Sequence, residues 1–393
     1  MVSSKTQIEE RKKDLYSKTK ERMELIKNKI EYEFNYSNFF FVSDKQTCGN
    51  FHKGPITRAN QKVNVGSLKD LSYDSLINSL VSSCLSFDTS LLNNRTKDEL
   101  RYLSLSQDPL KMDYALDNKK FVFESGPEIK PIGLSATLKK ARIEDNVKIP
   151  TQVEKVINDD IRANSGLLQL NKKGFDVDYL SNVLSSGFLG IDKKLVPTRW
   201  GITAVDDSLG KEYIKEIRNF DELEAIEVFY NQFLHNHFFI ILLPGKWEYE
   251  QFELWETDPQ GNTFPPQVDV HPDPSLNQDY SFNQEYEPFF GRTTYAKDQG
   301  GGYYAARIAV IEHLRKIKKQ ARVLVIRYIQ KDYFFPVGVW QVRENVRSSF
   351  NNKLEINSLS EAKAEMEKVL NINLGNIYKV SNLLIQKRIF DFV

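Results

Sequence analysis

The chain has 393 residues, 40% of them hydrophobic and 12% aromatic, which is enough for a large buried core and excludes a mainly disordered protein. Lys and Arg number 54 against 53 Asp and Glu, so attraction to nucleic acid has to come from local patches rather than from global charge. Cys48 and Cys84 lack the paired spacing of a structural zinc site, the charged start MVSSKTQIEERKKDLY has no apolar stretch to serve as signal or anchor, and the run Phe238 to Pro244 is far shorter than the roughly 20 residues that span a bilayer. A cytoplasmic protein with no zinc, no cofactor and no membrane partner is therefore expected.

From Thr6 to Ile30, Ile8, Leu15, Met23, Ile26 and Ile30 recur among Lys and Glu without Pro or Gly, which predicts a long mixed-charge helix with a thin apolar stripe. NFFFV (Asn38 to Val42) reads as a strand and is followed by a long polar loop. Helices are expected around Tyr73 to Ser82 and Thr96 to Leu105, and Lys119 to Pro131 reads as a strand ending in turns. Thr151 stands three residues before Glu154, the spacing of a capping box, so a helix is expected to run from there to about Ile161.

LVPTRWGITAV reads as an apolar strand ending at Asp206 and Asp207, with a helix from about Ser208. AIEVFY, HFFIILL and KWEYEQFELWE then predict an antiparallel sheet with one wet face, and residues 258–288, rich in Pro, Asp and Asn, read as a long irregular excursion. Gly300 to Gly302 open the strongest helix, with Ala305, Ile308, Val310, Ile311 and Leu314 as its buried side. VLVIRYI and FFPVGVWQV read as strands, and Ser358 with Glu361 caps a helix over SLSEAKAEMEKVL. The expected fold is mixed α/β, with a large mixed or antiparallel sheet, surrounding helices and the long N-terminal helix; the expected divisions are 1–36, 37–190, 191–378 and 379–393.

Carboxylates and arginines concentrated inside apolar blocks are the candidates for chemistry: Arg199, Asp206, Asp207, Glu250, Glu287 and Arg292. Strand-end carboxylates bind Mg²⁺ or act as general bases because a hard cation needs several oxygens at one point, although neighbours on a strand face opposite ways. The bland alternative is a helix cap with a solvated neighbour. The Gly run at a helix start is suited to a phosphate, but it lacks the lysine and spacing of a nucleotide loop and equally reads as a flexible loop. Arg315, Lys316, Lys318, Lys319 and Arg322 form a basic cluster that would either neutralise a DNA backbone or complement the helix dipole. His235 and His237 alternate on one side of an expected strand, but two histidines make no metal site.

At the end of the sequence, Gln386 is followed by Ile389, Phe392 and Val393 at offsets three, six and seven. A tight helical turn gathers the three apolar side chains into one plug. QKRIFDFV resembles the peptide by which proteins dock on a PCNA-type sliding clamp, where the plug fills a hydrophobic groove and the glutamine finds backbone partners. Val393 stands where a second aromatic is usual, which implies lower affinity in the same mode. The alternative is that NLLIQKRIFDF continues a helix packed on the protein itself.

LVPTRWGITAVDD, YEPFFGRTTYA, GGYYAARIAVIEHL and GVWQVRENVR together resemble the archaeal Nre family of DNA-repair proteins, in its form without a zinc finger. The resemblance implies a DNA-repair role and a clamp-binding peptide at Gln386, Ile389, Phe392 and Val393. It supplies no catalytic mechanism. Three functions stay open at this point: a clamp-recruited repair factor that contacts DNA, a metal-dependent nuclease or other DNA-processing enzyme with Mg²⁺ at the 195–347 region, and a repair scaffold without direct DNA contact.

Overall fold

A computed structural model of the protein describes residues 4–27, 36–37, 40–42, 53–58, 73–82, 84–89, 91–124, 132–257 and 280–385. The peptide Gln386 to Val393 lies outside the described residues. The chain divides into two compact units, residues 10–209 and residues 1–9 with 210–393.

The N-terminal helix α1 (Ser4–Lys27) forms as its charge-rich, Pro-free sequence predicts, and it buries Leu15. The first unit then builds β1 (Tyr36–Ser37), β2 (Phe40–Val42), β3 (Lys53–Arg58), α2 (Tyr73–Ser82), β4 (Cys84–Asp88), α3 (Asn94–Arg101), β5 (Leu110–Glu124) and β6 (Ile132–Ile143). Asn93 caps α3 by accepting from the Thr96 amide at 2.9 Å. The six strands form a sheet in the order β1-β5-β6-β4-β3-β2, with a long antiparallel β5–β6 pair and a parallel β4–β6 pair.

Helices α4 (Thr151–Ile157), α5 (Ala163–Lys172), α6 (Val177–Ser185) and α7 (Thr198–Ile217) follow. Two expectations are corrected here. The capping box at Thr151 does not form: Pro150 occupies the N-cap without a side-chain bond, and α4 ends at Ile157 rather than Ile161. The strand expected over LVPTRWGITAV is the first half of α7. Its β-branched residues suggest a strand, but Gly201, Val205 and Leu209 recur every four residues and are buried together, and that spacing is helical. A Cβ on Gly201 would collide with the Ser185 hydroxyl of α6, so glycine permits the close approach of these two helices.

The second unit contains β7 (Asp221–Glu222), β8 (Glu227–Phe233), β9 (Asn236–Leu243), β10 (Glu248–Glu256), β11 (Tyr280–Glu287), α8 (Gly301–Ile317), β12 (Lys319–Gln320), β13 (Arg322–Ile329), α9 (Trp340–Ser349), β14 (Lys353–Leu354), α10 (Leu359–Leu370), α11 (Gly375–Val380) and α12 (Asn382–Ile385). Its sheet runs β11-β10-β13-β9-β8-β14. The sheet is mixed, because β13 inserts between β9 and β10 and pairs parallel with β10. The expected wet face is absent from its centre: all of β9 and β13, and β10 except at its ends, are buried.

Two further corrections follow from that burial. The end of the expected irregular excursion is strand β11, whose polar residues Ser281 and Glu285 face inward rather than to solvent. FFPVGVWQV is not a strand: the chain stays irregular through Pro336 and Gly338, and helix α9 starts at Trp340. The cap at Ser358 forms as expected, accepting from the Glu361 amide at 3.2 Å. On one sheet face Phe239, Ile241, Phe252, Leu254, Leu324 and Ile326 pack against Ala362, Met366 and Leu370 of α10, with Ile377 and Leu383. Each such side chain contributes about 1.5–3 kcal/mol by leaving water. The opposite face receives α8 and α9.

Candidate functional site

The sheet face under α8 is polar although almost no solvent reaches it. Alternation along β10 points Tyr249, Gln251 and Glu253 to this face and Glu250, Phe252 and Leu254 to the other. A buried charge needs a partner, and each one here has it. Arg327 of β13 donates to Glu253 Oε1 at 2.7 Å and, through Nε and Nη2, to Asn236 Oδ1 at 3.0 and 2.7 Å. Glu287 at the end of β11 accepts the Tyr303 hydroxyl at 2.9 Å on Oε2, and the same oxygen lies 3.1 Å from Arg307 Nε. Arg292 pairs with Glu285 at 2.8 Å and lies 4.9 Å over the Tyr303 ring.

Burial first, and the charge of Glu287 second, hold the Tyr303 hydroxyl well above the ordinary phenol range, so it stays a proton donor. Arg218, at the end of α7, is pulled below the usual guanidinium range by burial, against the attraction of Glu287. Glu287 Oε1 is buried without a hydrogen-bond partner. Chemically this layer is a set of matched ion pairs that fixes strand register and helix placement. The Gly run belongs to it: a Cβ on Gly302 would stand 2.9 Å from Glu253 Oε1, so the glycine admits the buried pair to the helix backbone and offers no phosphate cradle.

Glu250, on the other face, performs a different task. Its Oε1 accepts from Gln284 Nε2 at 2.6 Å, from the Asn382 amide at 2.8 Å and from Asn382 Nδ2 at 3.2 Å. Its Oε2 accepts from Ser381 Oγ at 2.5 Å and from the Leu383 amide at 3.2 Å. The carboxylate thus caps the N-terminus of α12, where backbone donors have no helical acceptors. Arg322 Nη2 donates to the Leu383 carbonyl at 2.6 Å, so the turn that precedes Gln386 is held from both sides.

The candidates for chemistry are divided between the two units. Arg199, Asp206 and Asp207 lie on α7 in the first unit, whereas Glu250, Glu287 and Arg292 belong to the second. Asp206 is buried and Asp207 half-buried on a helix, not at a strand end. Within the second unit Glu250 and Glu287 point to opposite faces, since Glu250 is paired with Tyr286 and Glu287 with Tyr249. The basic cluster is also divided. Arg322 is buried in β13, Arg315 pairs with Glu216 at 2.7 Å and Lys319 with Glu224 at 3.2 Å, while Lys316 and Lys318 are exposed. His235 sits in the β8–β9 turn with φ of 56°, and His237 in the strand faces Tyr230, so the expected common side does not arise. Among the described residues no group of three His, Cys, Asp or Glu side chains could hold a metal, and no helix is long and apolar enough to cross a membrane.

Sequence reasoning missed Arg218, Arg307, Arg327 and Glu253. A signal was present for two of them: a lone arginine inside the apolar runs YYAARIAVI and VLVIRYI has to meet a carboxylate if those runs are buried.

Comparison with known proteins places the sequence among relatives. The family described as Archaeal Nre, N-terminal, matches residues 61–260, and Archaeal Nre, C-terminal, matches residues 287–392. The DNA repair protein NreA of Haloferax volcanii is 33% identical over 307 residues, 74% of this chain and 69% of that protein. The DNA repair protein NreB of Archaeoglobus fulgidus is 38% identical over 258 residues, 65% of this chain and 62% of that protein. The NreA of the same organism is 36% identical over 231 residues, 58% of this chain and 55% of that protein. No solved structure matches the chain. Two successive family matches, the first alone covering half of the sequence, make this chain a member of the archaeal Nre family.

Proposed function

We propose that this protein acts in DNA repair and is recruited to a PCNA-type sliding clamp through Gln386, Ile389, Phe392 and Val393. The repair role is supported by its relatives, which are DNA repair proteins. The observation that carries the clamp reading is the spacing of those four residues, directly after a helical turn pinned by Glu250 and Arg322. A peptide that starts from an anchored point reaches its groove with less freedom to lose than one on a long free linker. The nuclease alternative is weakened because Glu250 already accepts five hydrogen bonds and Glu287 and Arg292 are engaged in buried pairs.

Calorimetric titration of the clamp with the full chain and with the peptide QKRIFDFV tests the reading. An aromatic anchor dominates such a small interface, so Phe392→Ala is expected to lower affinity roughly thirtyfold or more, about 2 kcal/mol. Equal binding by the parent and the variant would overturn it. A salt-dependent gel shift with the full chain separates a DNA-contacting factor from a scaffold without DNA contact.

A further inference from the structure

Phe290 is 90% exposed, the most exposed large hydrophobic side chain among the described residues. It is not at the tip of a slack loop. Pro288 to Gly291 form a tight turn closed by the Gly291 amide on the Pro288 carbonyl at 2.8 Å, with Gly291 at φ +87°. Arg218 donates to the Phe289 carbonyl on one side of the turn. On the other, Arg292 donates to the Thr294 carbonyl at 2.9 Å and the Tyr295 carbonyl at 3.3 Å while it is tied to Glu285. The turn is therefore a stiff mount that holds an aromatic ring in water, at the cost of leaving its apolar surface unburied.

The surroundings of that ring carry a defined charge. Phe289 meets Phe290 edge-on at 5.3 Å. The Arg218 guanidinium lies 4.9 Å over the Phe289 ring, and the Lys246 ammonium 5.8 Å over it. Lys246 is exposed, and the neighbouring Glu248 is paired with Arg322. The nearby carboxylates are buried: Glu285 is engaged with Arg292, and Glu287 attracts both Arg307 and Arg218, which leaves Lys246 as the unpaired cation of the patch among the described residues. An exposed aromatic face beside an unpaired surface cation is the chemistry that binds unpaired nucleic acid, because every base has a face to stack and every nucleotide brings a phosphate.

We propose that Phe290, with Arg218 and Lys246, is a stacking site for an unpaired DNA base and its phosphate. This rests on the DNA-repair reading and is independent of the clamp peptide. A duplex hides its base faces, so the site favours single-stranded, gapped or flipped-out nucleotides over paired ones. The rigid turn supports this, since a pre-positioned ring loses little freedom on binding.

The test uses the full chain, a labelled oligothymidylate and a labelled blunt duplex, with fluorescence anisotropy followed over a salt series. Phe290→Ala is expected to weaken oligothymidylate binding roughly five- to a hundredfold, leave duplex binding unchanged and leave the salt slope intact, while Phe290→Trp retains binding. Lys246→Ala, a surface change that does not threaten folding, is expected to reduce the single-strand salt slope by roughly 0.7. Absence of oligothymidylate binding by the parent at low salt overturns the proposal, as does an equal loss on both DNAs. A parallel clamp titration of Phe290→Ala completes the test. Loss of clamp affinity with unchanged DNA binding makes the patch a protein interface and overturns the stacking site, whereas loss of clamp binding in Phe392→Ala alone bears only on the clamp reading.

Discussion

Glu250→Gln isolates the anchoring of the turn that leads to Gln386. The carboxylate has two donors on Oε2 and three on Oε1, and Glu250 is fully buried. Glutamine keeps the shape but turns one oxygen into an NH₂ group, so whichever side it faces, at least two donors lose their acceptor. Each stranded buried donor costs about 1–3 kcal/mol, which puts the loss at about 2–4 kcal/mol after local relaxation. Helix α12 is a single turn at the margin of the core, so it opens locally before the sheet yields. Hydrogen exchange is the assay. The amides of Asn382 and Leu383, which donate to Glu250, are expected to exchange roughly thirty- to a thousandfold faster, at 1.36 kcal/mol per factor of ten. Those of β9 and β13 exchange only through wider opening, in which α12 is also undone, so they are expected to accelerate by no more than the turn does. Unchanged protection over residues 380–385 would refute the reasoning, and so would a larger loss in β9 than in the turn.

Arg307→Met strands the buried charge of Glu287 and should cost about 3–5 kcal/mol in guanidinium unfolding; adding Glu287→Met should recover at least half of that, and simple additivity of the two losses would argue against a coupled pair. Gly201→Ala should destabilise the first unit by about 1–3 kcal/mol by driving a methyl group into Ser185 Oγ. Since that hydroxyl is buried without a hydrogen bond, Ser185→Ala should be close to neutral alone and should rescue Gly201→Ala, which a melting-temperature cycle reads directly. Burial lowers His313 to about 4, where it lies 3.7 Å from the Phe350 ring centre at 3°. The folded state therefore favours the neutral imidazole: its contribution is present above the unfolded value near 6.5 and declines as pH falls from there toward 4. His313→Gln is expected to flatten the stability profile across that window, and an unchanged profile would place the acid sensitivity elsewhere.

Periodic segments were legible. The charge pattern of α1, the apolar spacing of α8, the cap of α10 and the continuous apolar run of β13 each read correctly, since local spacing and a single cap residue decide whether such segments form. Segments whose solvent exposure departs from the usual pattern did not. Strand β11 looked like loop because its polar side is buried against partners distant in sequence, and the first half of α7 looked like a strand because β-branched residues masked a four-residue stripe.

The amino-acid sequence by itself carries the mixed α/β class, the family and the spacing of Gln386, Ile389, Phe392 and Val393, because each of these lives in residues adjacent or regularly spaced along the chain. The tertiary structure decided the tasks of the charged residues. Glu250 became a cap because Ser381, Asn382 and Leu383 return to it from more than a hundred residues away, and Glu287 became half of a buried pair because α8 brings Arg307 across the sheet. A carboxylate's role is set by the donors and dielectric around it, and those are assembled only when distant strands and helices pack.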